Sequence, residues 1–151
     1  MKLVESQQAN LFALGNPYPS GLGQVRLGDP IARVDEVYAG HSVNREHDGY
    51  WTVKLTDKGF WIQVAYYFDK SPKKIIDQIL FIMEPYYKLG DEPFPLHKLG
   101  PQFLRIRLEE ALGTPVYSKK TKVYSWKVSP NIIVEADTQI TDISFHLRTK
   151  K

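Results

Sequence analysis

Apolar and polar residues alternate along several segments of the chain with the two-residue period of half-buried β-strands. The segments with this pattern are, in chain order, 50–56, 60–64, 76–81, 123–129, 132–136 and 140–145. Turn residues separate two neighbouring pairs of them, with Asp57-Lys58-Gly59 in the first pair and Pro130-Asn131 in the second. The pattern therefore predicts antiparallel strands joined by hairpins at both places.

Two further segments, 29–40 and 101–113, have apolar residues at helical spacing, with proline in the first turn and glycine at the end. Each is preceded by Leu-Gly, and the pairs Leu27-Gly28 and Leu99-Gly100 are 72 residues apart. The predicted strands follow the two helices in the same order. This spacing favours an internal duplication, although small α+β domains also share a generic order of one helix followed by strands.

The predicted fold class is α+β, with two tandem similar units that each consist of a helical segment followed by a three-to-four-stranded antiparallel sheet. The first unit spans residues 1–84 and the second spans residues 85–151. The boundary is placed where proline and glycine concentrate, between residues 84 and 101.

Alternation within the strands assigns each residue to one of two sheet faces. Trp51, Val53 and Val64 are expected to face the helices, and the opposite face is expected to stay exposed. The residues expected to bind a partner on that exposed face are Tyr50, Lys54, Trp61, Gln63, Tyr67, Lys127, Glu135 and His146.

The aromatic residues of this set favour a binding role for the face, because large amphipathic side chains dominate the binding energy of many protein interfaces. An exposed patch of this kind indicates a partner site. The alternative is that a second layer, such as the N-terminal segment 3–14, covers these aromatic residues and makes them core. The residues alone are compatible with both interpretations.

Composition narrows the function classes. The chain has 151 residues, a net charge of +3, 42% hydrophobic and 25% charged residues, which are values of a globular protein. It has no cysteine, which excludes disulfides, thiol catalysis and cysteine-ligated metals. The N-terminus lacks the apolar core of a signal peptide, and the longest apolar run, 79–83, is too short to cross a membrane. We therefore expect a cytoplasmic protein with no membrane partner.

Catalytic and metal motifs give weak signals. His41, Glu46, His47 and Asp48 share a predicted loop without a recognised metal-ligand spacing. Ser71-Pro72-Lys73-Lys74 matches the S-x-x-K motif of acyl-transfer enzymes without its companion motifs. We expect no cofactor, no bound metal and no enzymatic activity. A small hydrolase that uses the 41–48 loop is the remaining catalytic alternative.

The alternative binding function is that of a nucleic-acid-binding accessory protein. Lys119, Lys120, Lys122 and Lys127 lie around Tyr124 and Trp126, a combination that could contact phosphates and stack bases. However, alternation places both aromatic rings on the helix-facing side of the sheet, so nucleic acid is not the expected partner.

The layout of two helix-plus-sheet units resembles the β-lactamase inhibitory protein and the related single-unit outer-membrane assembly lipoproteins. In that inhibitor fold, the sheets form one surface that grips a protein partner. The strand pair 51–68 and the segment 140–147 also resemble bacterial immunity proteins, which are small cytosolic antagonists of a cognate bacteriocin or contact-delivered toxin. This resemblance implies a cognate toxin domain as the partner. The pI near 9.0 suits a neutral or acidic toxin.

Overall fold

The structure, a computed structural model, describes residues 11–55, 61–83, 86–89, 92–137 and 144–149. In chain order, its elements are α1 (Ala32–Val37), β1 (Ser42–Asn44), β2 (Tyr50–Lys54), β3 (Trp61–Phe68), β4 (Ile76–Met83), β5 (Tyr86–Leu89), β6 (Glu92–Pro95), α2 (Leu96–Leu112), β7 (Val116–Ser118), β8 (Val123–Ser129), β9 (Ile132–Asp137) and β10 (Ser144–Thr149).

Eight of these strands form one antiparallel sheet in the order β1-β2-β3-β4-β10-β9-β8-β7, and β5 pairs with β6 in a separate hairpin. The antiparallel sheet predicted from alternation is therefore confirmed. The hairpin at Pro130-Asn131 is also confirmed, because β8 and β9 pair across it. The hairpin predicted at Asp57-Lys58-Gly59 lies outside the described residues.

The predicted fold of two tandem helix-plus-sheet units is wrong. Strand β4 pairs with β10, with Leu80 opposite His146, so strands from both predicted units belong to one sheet. The rings of Phe81 and Phe145 stack across this junction with centroids 5.1 Å apart. Pairing β4 with β10 satisfies two strand edges at once and merges what would have been two small cores. The predicted boundary at 84/85 falls on residues outside the described part.

The core lies on one face of the sheet. A single row of side chains runs across six strands on this face, through Trp51, Tyr66, Ile79, Leu147, Val134 and Trp126 in register. The four central residues of the row and Trp126 are buried, and Trp51 packs against the core at its margin. Alternating apolar residues thus produce the buried face that the pattern predicted for Trp51, Val53 and Val64.

Helix α2 and the N-terminal segment cover this face together. Leu104, Leu108 and Ala111 form the buried stripe of α2, at the spacing of successive helical turns. The backbone N–H of Gly15 donates a hydrogen bond to the carbonyl oxygen of Ala111 at 2.8 Å, which links the segment to the helix. No helix in the described part of the chain is both long and apolar enough to span a membrane.

Helix α1 is shorter than the predicted segment 29–40, because residues 28–31 bond to the start of β4 instead. The N–H of Gly28 donates to the carbonyl of Ile76, and the N–H of Ile76 donates to the carbonyl of Asp29, each at 2.8 Å. These bonds hold the chain extended at Pro30, which bridges Ile75. Helix α2 begins at Leu96, earlier than residue 101, where the prediction began.

Candidate functional site

The second face of the sheet carries most of the residues predicted to bind a partner, and we call it the open face. One row of this face crosses all eight strands in register, through Asn44, Thr52, Ala65, Leu80, His146, Glu135, Ser125 and Val116. A parallel row contains Tyr50, Tyr67, Gln78, Arg148, Ile133 and Lys127. A third row contains Ser42, Lys54, Gln63, Ile82 and Ser144.

An aromatic stack lies on the open face near the β1 edge of the sheet. Tyr50 and Tyr67 are cross-strand partners whose ring centroids are 4.8 Å apart. The imidazole of His47 stacks on the other side of Tyr50 at 4.5 Å, with the two rings nearly parallel. Burial, and to a lesser degree the charge that Tyr50 would carry, raise the pKa of Tyr67, so its hydroxyl stays neutral. The stack presents rigid, half-exposed aromatic surface.

A hydrogen-bonded charge cluster lies further across the same face. Glu135 Oε1 accepts hydrogen bonds from Arg148 Nε at 2.6 Å and from His146 Nε2 at 2.9 Å. Burial by itself would raise the pKa of Glu135, but the two hydrogen bonds and the neighbouring charges outweigh it, so the pKa lies below its usual value. The carboxylate therefore stays ionised and fixes both partners in place.

Between the aromatic stack and the charge cluster, β4 places Gln78 in the row of Tyr67 and Arg148, and apolar residues in the next two rows. Ala65 and Leu80 are neighbours in the central row, and Ile82 pairs with Gln63 in the adjacent row. Leu80 and Ile82 are partly exposed and do not belong to the core on the other face of the sheet. Lys54 and Lys127 are exposed near opposite ends of the surface. The face thus has an apolar centre with charged and aromatic residues around it.

The expected position of Trp61 on the open face is wrong. Trp61 is only 8% exposed and packs in the core against Phe12, Phe81 and Phe145, with centroid distances of 5.6–6.1 Å. The register of β3 shifts between Trp61 and Gln63, so Trp61 pairs with Met83 and Gln63 pairs with Ile82. This β-bulge inserts one residue and reverses the side that Trp61 faces.

The N-terminal segment packs over Trp61. Leu11 and Phe12 are buried, and Phe12 contacts both Trp61 and Phe145. A covering layer from this part of the chain was the alternative interpretation of the aromatic residues. Phe12 covers Trp61 on the helix side of the sheet, whereas Tyr50 and Tyr67 remain half-exposed on the open face.

Two residues next to the predicted partner-binding set were not expected there, although His47 was a candidate in the 41–48 loop. Arg148 belongs to the charge cluster, and His47 belongs to the aromatic stack. Alternation could have found Arg148, because it lies two residues after His146 and faces the same way. No comparable signal exists for His47, which reaches Tyr50 from the preceding loop.

The basic stretch around Lys119–Lys127 does not form an aromatic platform. Trp126 is buried, and its indole Nε1–H donates to the carbonyl oxygen of Gly113 at 2.8 Å. Tyr124 packs against Tyr117, and the guanidinium of Arg105 lies 5.1 Å from its ring centroid. Lys119 and Lys120 are exposed in the turn after β7. Lys127 lies on the open face, next to no exposed aromatic ring of this stretch that could stack a base.

Comparisons with known proteins give one distant structural likeness. No family model matches the chain, and no curated protein matches it. The crystal structure of a DUF4309 family protein (YjgB) from Bacillus subtilis subsp. subtilis strain 168 is similar to this chain at 10% sequence identity and a TM-score of 0.48. The alignment covers 96% of this chain and 91% of that chain.

The histidines offer little support for metal chemistry. Within the described ranges, no group of three or more His, Asp or Glu side chains is placed to hold a metal ion. His41 packs edge-on against Tyr38 with ring centroids 5.3 Å apart, and His47 is part of the aromatic stack. His146 donates to Glu135.

Proposed function

We propose that this protein binds and neutralises a partner protein by covering part of it with the open face. The observation that carries the proposal is the row of side chains in register across all eight strands, from Asn44 to Val116. At about 4.8 Å between strands, this row is about 34 Å wide. The three rows contain eight, six and five residues and together cover roughly 600 Å², a large part of the ~800 Å² that each partner contributes to a standard interface.

The chemistry of the open face supports a protein partner. Stacked tyrosines provide large contact area at low entropic cost, because their rings are already held against each other. Leu80 and Ile82 provide an apolar centre from which water can be excluded. Glu135 and Arg148 are held by their mutual hydrogen bond, so they can orient a partner without losing much side-chain freedom on binding.

The partner we propose is a bacterial toxin domain, as the resemblance to immunity proteins implies. Such a protein acts stoichiometrically, by blocking the active site of the toxin or a surface next to it, and needs no catalytic group of its own. The net charge of +3 favours a neutral or acidic toxin, because opposite charges speed association. We also propose that the protein binds the toxin in the cytoplasm.

Capture of the partner with matched variants tests this proposal. Tagged wild-type protein, Tyr67→Ala and Tyr117→Ala are used to capture proteins from lysate of the source organism, with and without nuclease. Tyr117 is 40% exposed and pairs with Tyr124 on the helix side of β7, so it is a matched control off the open face. Truncating Tyr67 is expected to cost about 2 kcal/mol of binding, or about 30-fold in affinity.

The proposal requires a protein that is retained by wild type and Tyr117→Ala, is lost with Tyr67→Ala, and resists nuclease. Co-expression must then protect cells from the captured protein. Retention of the same protein by Tyr67→Ala would contradict the role of the open face. Capture that disappears with nuclease and with rising salt would instead support the nucleic-acid alternative.

A further inference from the structure

A cleft of about 480 Å³ lies beside the open face, where β2 begins and β3 ends. One wall comes from residues 45–49 before β2, and the other comes from the loop between β3 and β4. The fold therefore brings together parts of the 41–48 loop and of Ser71-Pro72-Lys73-Lys74, the two segments that carried weak chemical signals in the sequence. The volume falls within the roughly 300–1,000 Å³ of small-molecule sites.

Two aromatic rings line the cleft, and each has a cation over it. Trp51 and Phe68 meet edge to face with centroids 6.2 Å apart. The guanidinium of Arg45 lies 4.9 Å from the Trp51 ring centroid, and the ammonium of Lys74 lies 5.7 Å from that of Phe68. These contacts hold two long cationic side chains against apolar walls, so a ligand need not order them.

The loop that carries Lys74 is fixed by Asp69. Asp69 Oδ1 accepts hydrogen bonds from the hydroxyl of Ser71 at 2.6 Å and from the backbone N–H of Ile75 at 3.0 Å. Lys74 adopts a φ of +52°, and its carbonyl accepts from the N–H of Ile31 at 2.9 Å. The position of Lys74 at the cleft is therefore set by the backbone.

The cations of the cleft outnumber the carboxylates that face it. Arg45, Lys70 and Lys74 line the site with Asp48 and Asp69, and one oxygen of Asp69 is engaged by its own loop. Arg45 pairs with Asp35 outside the cleft. Within the described part of the chain, neither Lys70 nor Lys74 takes part in an ion pair. Lys70 and Lys74 are therefore the cations of the cleft that a negatively charged group can pair with.

We propose that this cleft binds a small organic phosphate that carries a flat ring. The phosphate lies between Lys70 and Lys74, where a doubly charged group gains more than a carboxylate does. The ring contacts Trp51 and Phe68. A nucleotide and a phosphorylated tyrosine share this chemistry. The cleft shares His47 with the aromatic stack, but Trp51 and Phe68 pack at the margin of the core on the other side of the sheet, and binding here needs no protein partner.

Titration of the isotope-labelled full chain by NMR tests the site, with phenyl phosphate, AMP, O-phosphotyrosine and benzoate as probes. We expect saturable shifts at the Trp51 indole N–H and at the amides of residues 69–75, with millimolar affinity for phenyl phosphate and weaker binding of benzoate. Tighter binding of AMP would indicate a nucleotide as the natural ligand, and tighter binding of O-phosphotyrosine would indicate a phosphorylated tyrosine. Trp61 and Trp126 are buried and serve as internal references.

Charge-neutralising variants complete the test. Lys74→Gln and Lys70→Gln are each expected to weaken phenyl phosphate binding roughly tenfold, as the loss of one charge-assisted hydrogen bond implies. Lys127→Gln removes the same charge at the far end of the sheet and is expected to change affinity less than twofold. Shifts that do not saturate, an equal loss in Lys127→Gln, or unchanged affinity in both Lys74→Gln and Lys70→Gln would overturn the proposal.

Discussion

The hydroxyl oxygens of Tyr38 and Tyr66 lie 3.0 Å apart in the buried space between the end of α1 and strand β3. Tyr66 is fully buried, and Tyr38 is nearly so. Burial raises the pKa of both phenols, so both remain neutral and one donates to the other. This hydrogen bond ties the end of α1 to strand β3.

Removing one of these hydroxyls should leave the other buried without a partner. Tyr66→Phe and Tyr38→Phe are each expected to lower the free energy of unfolding by about 1–3 kcal/mol, whereas the double variant should lose less than the sum. Urea denaturation of the four proteins measures the coupling. Additive losses would show that the two hydroxyls do not depend on each other.

Truncation of Trp61 should destabilise the fold, because its side chain fills the space between Phe12, Phe81 and Phe145. We expect Trp61→Ala to lower the free energy of unfolding by about 3–5 kcal/mol. Trp51→Ala is the matched control at the half-exposed margin of the core and should cost less. Equal losses in chemical denaturation would argue against the buried position of Trp61.

The charge cluster should make stability depend on pH. Because the pKa of Glu135 is lowered on folding, its ionised form stabilises the protein above its unfolded-state pKa, near 4.5, and this contribution is lost as pH falls through the folded-state pKa. Glu135→Gln should therefore be less stable than wild type near neutral pH. The difference should shrink when pH falls below about 4.5.

Denaturation midpoints across this pH range measure the effect. Glu36→Gln removes an exposed carboxylate that pairs with Arg33 and is the matched control. Its stability should stay close to that of wild type throughout, because exposed pairs contribute about 0–1 kcal/mol. A constant gap between Glu135→Gln and wild type from neutral to acidic pH would contradict the lowered pKa.

Asp69 should control the order of the loop beneath the cleft. Its carboxylate accepts from the N–H groups of Ser71 and Ile75. In Asp69→Ala these two amides should exchange with solvent faster, whereas amides in the centre of β4 should be unaffected. Hydrogen exchange followed by NMR measures this directly. Unchanged exchange at Ser71 and Ile75 would show that the backbone bonds alone hold the loop.

The strands were predictable because successive residues of β2, β4, β8 and β9 point in turn to the core and to the open face. The bulge at the start of β3 was not predictable, because the alternation rule assumes that each residue points to the side opposite to its neighbour, and an inserted residue breaks that rule. A single extra residue therefore moved Trp61 from the expected open face into the core. Tyr50, Gln63 and Tyr67 kept their expected side because they share one unbroken register with β2.

The sequence pattern also could not predict that the strands of the two predicted units form one sheet. Alternation shows which residues of β4 and β10 are apolar, but it does not show that the two strands are neighbours. The helix ends were missed for a related reason. Residues 28–31 have helical signals, yet their backbone groups bond to β4, a contact between distant parts of the chain.

The pairing of β4 with β10 places a long-range contact at the middle of the sheet. About 60 residues separate the end of β4 from the start of β10. Until β10 docks, β4 has an unpaired edge that carries Leu80 and Ile82, so the half-formed sheet is open to pairing with other chains. The pairing of β10 with β4 should therefore limit the folding rate. Conditions that delay this pairing should favour aggregation over correct folding.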